Sequence, residues 1–339
     1  MEYKENILDS KEYRQNYLDG INKIIELRKN EAKSIRKEYI KGIFDNQEKY
    51  RADFCEMLGW PLNDKKMLSD RKVPKVVSNT LLSEDNEYEL YRMQLEVLPD
   101  VNMEGLFYKL KSGEKNPVVI AQHGGSGMPE TIAGFYESTY NYNDMLQRIQ
   151  KNHVNIFAPL VLVWSPYSVG VSIDRNVTDA ALKRVGSSIT AIEVYGIMRA
   201  IDYLTSQPFI SNVGMVGLSY GGFYTLYTSA IDTRIKSAIS CSYFNTRDLV
   251  PWVDWVFRDA AYKFDDAEIA ALVYPRHLCI EVGDNDDLFK VSGAIESFEK
   301  LKDICAKVGT EWVDFIPFKG NHEFYKEDEP IIKLIKDIK

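Results

Sequence analysis

The stretch Gly217-Leu218-Ser219-Tyr220-Gly221-Gly222 places a serine between glycines two residues before and two residues after it. An apolar run, Val213–Val216, leads into it, and Phe223–Thr228 has helical character. A serine on a sharp strand-to-helix turn is held in a strained backbone conformation, and the glycines let neighbouring backbone pass without Cβ clashes. Such a turn lifts the hydroxyl out of the sheet. The hydroxyl is a poor nucleophile at neutral pH, so it needs a base, and the base needs an orienting group. The chain offers only four histidines, His123, His153, His277 and His322. A second glycine turn, His123-Gly124-Gly125-Ser126-Gly127, follows the apolar run Val118–Ala121. Amides in such a turn can point at developing negative charge.

These groups need a scaffold, and the pattern of the chain describes one. From about Val76 the sequence reads as strands: Tyr88–Leu98, Gly105–Leu110, Val118–Ala121, Asn155–Val163, Val213–Val216, Ile235–Ser240, Leu278–Val282 and Glu311–Ile316. Helical patterns alternate with the later ones, over about 142–151, 187–206, 223–228, 292–307 and after Pro330. Strands alternating with helices of ten or more residues predict βαβ units and a mostly parallel sheet covered on both faces. Residues 1–75 differ. They are rich in Lys, Glu, Asn and Tyr, with apolar residues at helical spacing (Ile21, Ile24, Ile25, Leu27), and Gly59-Trp60-Pro61 ends the run. The expected organisation is a helical extension over 1–75 and a catalytic unit over 76–339, with a lid candidate at 243–274.

Composition narrows the class. With 45% hydrophobic and 27% charged residues the chain reads as an ordinary globular protein. A net charge of −8 and the lack of a basic stripe argue against nucleic acid as a partner. No apolar stretch approaches the ~18–20 residues needed to span a bilayer, so no membrane partner is expected. The first twenty residues are polar and lack a signal-peptide core, and four cysteines show no C-x-x-C pairing, which together predict a cytoplasmic protein. No metal or cofactor is called for: Asp284, Asp286 and Asp287 lack the glutamate of a calcium loop, Ile295 standing at its twelfth position.

With GLSYGG and HGGSG in these contexts, the chain resembles the α/β-hydrolase superfamily from about residue 76 to the end. That resemblance implies an α/β-hydrolase fold and the chain order serine, acid, histidine, which leaves His277 and His322 as bases. His277 precedes its strand, whereas active sites of open α/β sheets lie beyond the carboxyl ends. His322, in the loop after strand 311–316, is therefore the expected base. The acid belongs just past strand 278–282, where Asp284, Asp286 and Asp287 compete. The spacing G-x-x-D-x-L-F is similar to the family pattern and selects Asp286, with Asp287 next. The resemblance further implies an oxyanion hole from Tyr220, Gly125 and Gly124, with His123 as a structural hydrogen-bonding residue. PRHLCIEVGDNDDLF and FKGNHEF narrow the resemblance to acetyl xylan esterase-like and dienelactone hydrolase-like enzymes. The implied reaction is removal of a short acyl group from a sugar or small alcohol through an acyl-enzyme, with a small-molecule ester as the partner. Trp164, Tyr167, Trp252 and Trp255 are candidates to line the pocket; the aromatics of 243–274 serve equally as a small core under a long loop. Arg175 and Arg258 read as anion contacts or surface arginines. Two other functions fit the same residues: a prolyl-oligopeptidase-like serine peptidase, for which no propeller is present, and a noncatalytic receptor, which would usually have lost one of the three groups. Self-association stays open.

Overall fold

The computed structural model describes residues 1–125, 127–136, 138–163, 173–250 and 252–339. Nine strands form one sheet: β1 Val76–Glu84, β2 Tyr88–Leu98, β3 Val101–Leu110, β4 Asn116–Gln122, β5 Asn155–Pro159, β6 Ile210–Leu218, β7 Ile235–Cys241, β8 His277–Gly283 and β9 Val313–Phe318. Their spatial order is β1-β2-β3-β5-β4-β6-β7-β8-β9. β1, β2 and β3 pair antiparallel, as do β3 and β5, and every pairing from β5 through β9 is parallel. The parallel strands carry long apolar runs because both of their faces are covered.

Side chains alternate between two buried layers. Val118, Ile120, Val213 and Met215 face one layer, which also receives helices Ile189–Ser206 and Tyr220–Ile231. Val119, Ala121, Val216 and Leu218 face the other, covered by helices Met145–Gln150 and Glu329–Ile338. The amino-terminal helices join the first layer. Phe54, on helix Gln47–Leu58, meets Tyr227 edge-on at 5.0 Å, Arg51 Nε donates to Ala230 O at 3.1 Å, and Ser188 Oγ donates to Leu58 O at 2.7 Å. Gly59, at φ +96°, ends that helix where the sequence break falls.

Three of the structure's departures from the sequence expectation lie in its edge strand and around β5. β1 is an additional edge strand, exposed along its whole length. Helix Arg175–Arg184 was not expected, because its apolar content is low. β5 stops at Pro159 instead of running to Val163, since Val161 gives its N–H to His123 Nε2 at 3.2 Å and not to a neighbouring strand.

One buried acid in the sheet has a measurable consequence. Glu281 on β8 lies beside Cys241 and Cys279, is 1% exposed, and its Oε2 has no hydrogen-bond partner among the described residues. Burial pushes its carboxyl up from 4.5 to about 7. The folded state therefore holds a proton that the unfolded chain has released, so this contribution is full below pH 4.5 and is lost as pH rises through 7. Glu281→Gln removes that dependence. Urea unfolding at about pH 5 and about pH 8 is expected to show the variant gaining roughly 3 kcal/mol on wild type between the two. A difference that stays constant with pH would contradict this account.

Candidate active site

Ser219 sits directly after β6 at φ +61°, ψ −120°, a left-handed conformation rare for a serine. The turn is held by close backbone approach. A Cβ on Gly217 would lie 2.4 Å from Gly221 backbone, and one on Gly221 would lie 2.2 Å from Gln122 O. Any side chain at either position would therefore break the turn. Ser219 N–H donates to Cys241 O at 2.9 Å, at the exit of β7, and Phe223 N–H donates back to Ser219 O at 2.9 Å.

The same strand exit carries the histidine loop. Ser242 Oγ donates to Glu323 O at 3.2 Å and Cys241 Sγ lies 3.4 Å from it. Asn141 and Asn143 hold the loop from the other side: Asn141 Nδ2 donates to His322 O at 2.9 Å, and Asn143 Nδ2 to Phe324 O at 2.6 Å. His322 Nδ1 is 2.8 Å from Asp286 Oδ2. Asp286 is buried, and its other oxygen accepts the Leu288 and Phe289 amides at 2.8 and 2.9 Å. These bonds fix the carboxylate, and the carboxylate fixes the ring. With the Nδ1 proton directed at Asp286, Nε2 is the basic nitrogen. Asp287 is instead solvated and paired with Lys290, and Asp284 Oδ1 accepts Gly320 N–H at 3.1 Å. His277 opens β8 at the opposite edge of the sheet, between Asp314 and Asp337.

The turn at His123-Gly124-Gly125 lies over the serine, and an ideal Cβ on Gly124 would be 3.2 Å from Ser219 Cβ. The Gly124 amide donates to Tyr142 Oη at 2.7 Å, so it already has a partner; Gly125 follows it, buried, with Ser126 outside the described residues. Tyr220 N–H belongs to the first turn of helix Tyr220–Ile231. His123 is wholly buried and burial pushes it down to about 4, so it is neutral, with Nδ1 2.9 Å from Gly124 O and Nε2 accepting from Val161.

Trp252, half-buried, stacks against Tyr220 at 5.9 Å and meets Phe289 edge-on at 5.1 Å, and Phe289 lies parallel to His322 at 5.6 Å. Trp255 is buried and stacked on Phe223 at 4.7 Å, so it forms the layer behind that wall. Trp164 and Tyr167 lie outside the described residues. Arg258 is a surface arginine, but Arg175 is neither a surface residue nor an exposed anion contact. It is buried, with Nε on Asp254 at 2.7 Å, Nη1 on Glu193 at 3.1 Å and Leu162 O at 2.6 Å, and Nη2 on Tyr224 Oη at 2.5 Å. Tyr220 Oη donates to the same Asp254 oxygen at 2.8 Å, and Tyr224 Oη bonds Glu193. Burial first, and then these acids, push both tyrosines up, so both remain protonated donors. The cluster was invisible in the sequence because its members are 18 to 79 residues from Arg175 and form no motif. The one signal was Glu193 inside the apolar helix run Ile192-Glu193-Val194.

No family model matches the chain. A candidate hydrolase of Bacillus subtilis (strain 168), YtaP, is 29% identical over 135 residues, covering 37% of this chain and 45% of that relative's length. Among solved structures, a candidate acetyl xylan esterase from Bacteroides fragilis superposes with a TM-score of 0.64 at 17% identity, covering 84% of this chain and 77% of its own. A glucuronoyl esterase from Solibacter usitatus gives 0.62 at 16% identity (88% and 93%), and acetyl xylan esterase 1 from Thermoanaerobacterium gives 0.56 at 14% (87% and 94%). The likeness establishes the fold as that of the α/β-hydrolases.

Removing one member of the buried cluster leaves the rest uncompensated. Asp254→Ala strands the Arg175 guanidinium beside one remaining acid and is expected to cost roughly 3–5 kcal/mol in urea unfolding. Tyr220→Phe removes a single donor and is expected to cost about 1–3 kcal/mol. Equal small losses for the two would mean that the cluster is hydrated and not a closed network.

Proposed function

We propose that the chain is a serine-dependent ester hydrolase working through an acyl-enzyme. The observation that carries the reading is the anchoring of Ser219 and the His322 loop to one strand exit, with His322 Nδ1 2.8 Å from the buried Asp286. In this reading Ser219 Oγ attacks the ester carbonyl carbon while His322 Nε2 takes its proton. Asp286 holds the imidazole tautomer and stabilises the imidazolium. The oxyanion is held by the Tyr220 and Gly125 amides. We leave Gly124 out of that pair because its amide already donates to Tyr142 Oη; it acts by setting the loop's course. Collapse of the tetrahedral intermediate expels the alcohol, which leaves with the proton from His322. Water then attacks the acyl-serine by the reverse path.

The favoured substrate is a short acyl ester of a sugar or small alcohol. The acetyl xylan and glucuronoyl esterases among the structural neighbours support a sugar ester, and the aromatic wall of Trp252 and Phe289 beside His322 suits an apolar acyl group or a sugar face. Residues 76–339 form the catalytic unit in this reading, 1–75 an extension packed against it, and 243–274 a lid. Four buried free thiols support a cytoplasmic setting. Among the described residues no helix is long and apolar enough to cross a membrane.

Release of p-nitrophenol from acetate through octanoate esters tests the reading. Hydrolysis is expected to be greatest on acetate and to fall by roughly 10⁴–10⁶ in kcat for Ser219→Ala. Asp286→Asn is expected to lose about 10⁴, whereas Asp287→Asn keeps the wild-type rate. A folded Ser219→Ala that hydrolyses at the wild-type rate would refute the mechanism.

A further inference from the structure

Between β9 and helix Glu329–Ile338 the chain runs through 319–328 without a strand or helix of its own, and His322 sits in that loop. Buried backbone groups in such a segment need partners, because no ladder supplies them. Gly320 finds one at the exit of β8, where Asn285 N–H donates to its carbonyl at 2.9 Å. The carbonyls of Tyr325 and Glu327 are held by one side chain, Arg148, on helix Met145–Gln150. Its Nη1 donates to Tyr325 O at 2.6 Å, its Nη2 to Glu327 O, and its Nε to Asp328 Oδ1 at 2.6 Å. The guanidinium lies over the Phe324 ring at 5.5 Å, and both side chains are buried.

We infer that Arg148 is a positioning residue for His322, an inference that rests on the ester-hydrolase reading above. All three guanidinium nitrogens are spent on the stretch that follows the histidine. A guanidinium suits this task because its donors fan out in one plane, whereas a lysine is a compact point charge. The same short segment also grips His322 and the turn over Ser219. Asn141 Nδ2 donates to His322 O at 2.9 Å, Asn141 O accepts Phe324 N–H at 2.8 Å, and Tyr142 Oη accepts Gly124 N–H at 2.7 Å. Residues 141–148 therefore act as a spacer between the His123-Gly124-Gly125 turn and the histidine loop. Arg148 closes the far end of that spacer, without itself bonding Ser219, Asp286 or the imidazole.

The position of this loop decides the chemistry, because His322 has to meet Asp286 with one nitrogen and the serine hydroxyl with the other. The first contact is made at 2.8 Å. Without Arg148 the Tyr325 and Glu327 carbonyls lose their donors, and a buried acceptor left unmade is costly. The loop then relaxes toward water, and His322 lies only three residues from Tyr325. A shift of about 1 Å at a reacting group is enough to cost roughly 10²-fold in rate. Groups that bind the ester elsewhere are untouched, so the loss falls on kcat and leaves KM in place.

Steady-state hydrolysis of p-nitrophenyl acetate by wild type, Arg148→Met and Arg148→Lys is the test, with far-UV circular dichroism and urea unfolding to measure the folded fraction. Arg148→Met keeps the apolar stem and is expected to lose about 10² in kcat, with KM within about threefold of wild type. Arg148→Lys retains a buried cation, serves where the methionine variant fails to fold, and is expected to lose about tenfold. Millimolar guanidinium ion is expected to raise kcat of Arg148→Met several-fold and to leave wild type unchanged, which general loss of structure would not allow. A second readout needs no substrate. The far-downfield proton resonance of the His322–Asp286 hydrogen bond, identified by its absence in Asp286→Asn, is expected to broaden or vanish in Arg148→Met. Wild-type kcat in a folded Arg148→Met would overturn the inference, as would an unchanged downfield resonance or a loss of kcat no larger than the loss of folded protein. A wild type that hydrolyses no ester would instead sink the ester reading, and the downfield resonance then decides alone whether Arg148 holds His322 against Asp286.

Discussion

The left-handed backbone at Ser219 is the constraint around which the rest of the molecule is arranged. A non-glycine residue at φ +61° persists only where its surroundings over-determine it. Here the surroundings are other backbones, since Gly217 passes Gly221 and Gly221 passes Gln122 at distances that exclude a Cβ. The turn therefore needs β4, β6 and the elbow helix in fixed relation, which parallel pairing of β4 with β6 supplies. From that frame Cys241 at the end of β7 accepts the Ser219 amide, and its neighbour Ser242 holds Glu323. Nucleophile candidate and base candidate thus share one anchor, although they stand 103 positions apart in a chain numbered to 339. Errors in loop position do not accumulate between them.

The second organising feature is the buried cluster of Arg175, Glu193, Asp254, Tyr220 and Tyr224. Burying ions in this way contributes little net stability, because desolvation offsets the Coulomb gain. Its value lies in being expensive to rearrange. Arg175 touches the exit of β5, helix Ile189–Ser206, the elbow helix and segment 243–274 at once. Tyr220, the residue after the serine, is bonded to Asp254, which stands between Trp252 and Trp255 in the chain. Segment 243–274 and the elbow are therefore joined directly, and a displacement of Asp254 reaches the helix that carries the proposed oxyanion donor.

What could be read from the sequence was what depends on local periodicity and on residues close in the chain. β2 matches its expected bounds, and β4, β7 and β8 match within two residues at either end, because their apolar runs are bounded by turn residues. The preference for Asp286 over Asp284 and Asp287 came from the resemblance of G-x-x-D-x-L-F to the family pattern, and His322 Nδ1 stands 2.8 Å from Asp286 Oδ2. Long-range polar partnership was not legible. Arg175 reads as a surface residue because the acids it pairs with, Glu193 and Asp254, stand 18 and 79 positions away in the chain. Tyr142 likewise carried no signal for its bond to the Gly124 amide, since a helical pattern over 142–151 says nothing of a contact 18 positions back.

Tyr142 and His123 together explain how a glycine-rich loop can be rigid. His123 accepts the Val161 amide at Nε2 and so must carry its proton on Nδ1, which faces Gly124 O. Burial keeps the ring neutral, since protonating it would cost the one acceptor that Val161 has. Tyr142 takes the Gly124 amide on the other side. Gly124 is thereby held through both its carbonyl and its N–H, and the peptide that follows, carrying the Gly125 amide, inherits a fixed orientation. Preorganised donors stabilise developing charge because no reorganisation is needed at the moment of reaction. In the proposed reaction the turn would acquire that property from its own His123 and from Tyr142 outside it, which is why the glycines alone say so little about it.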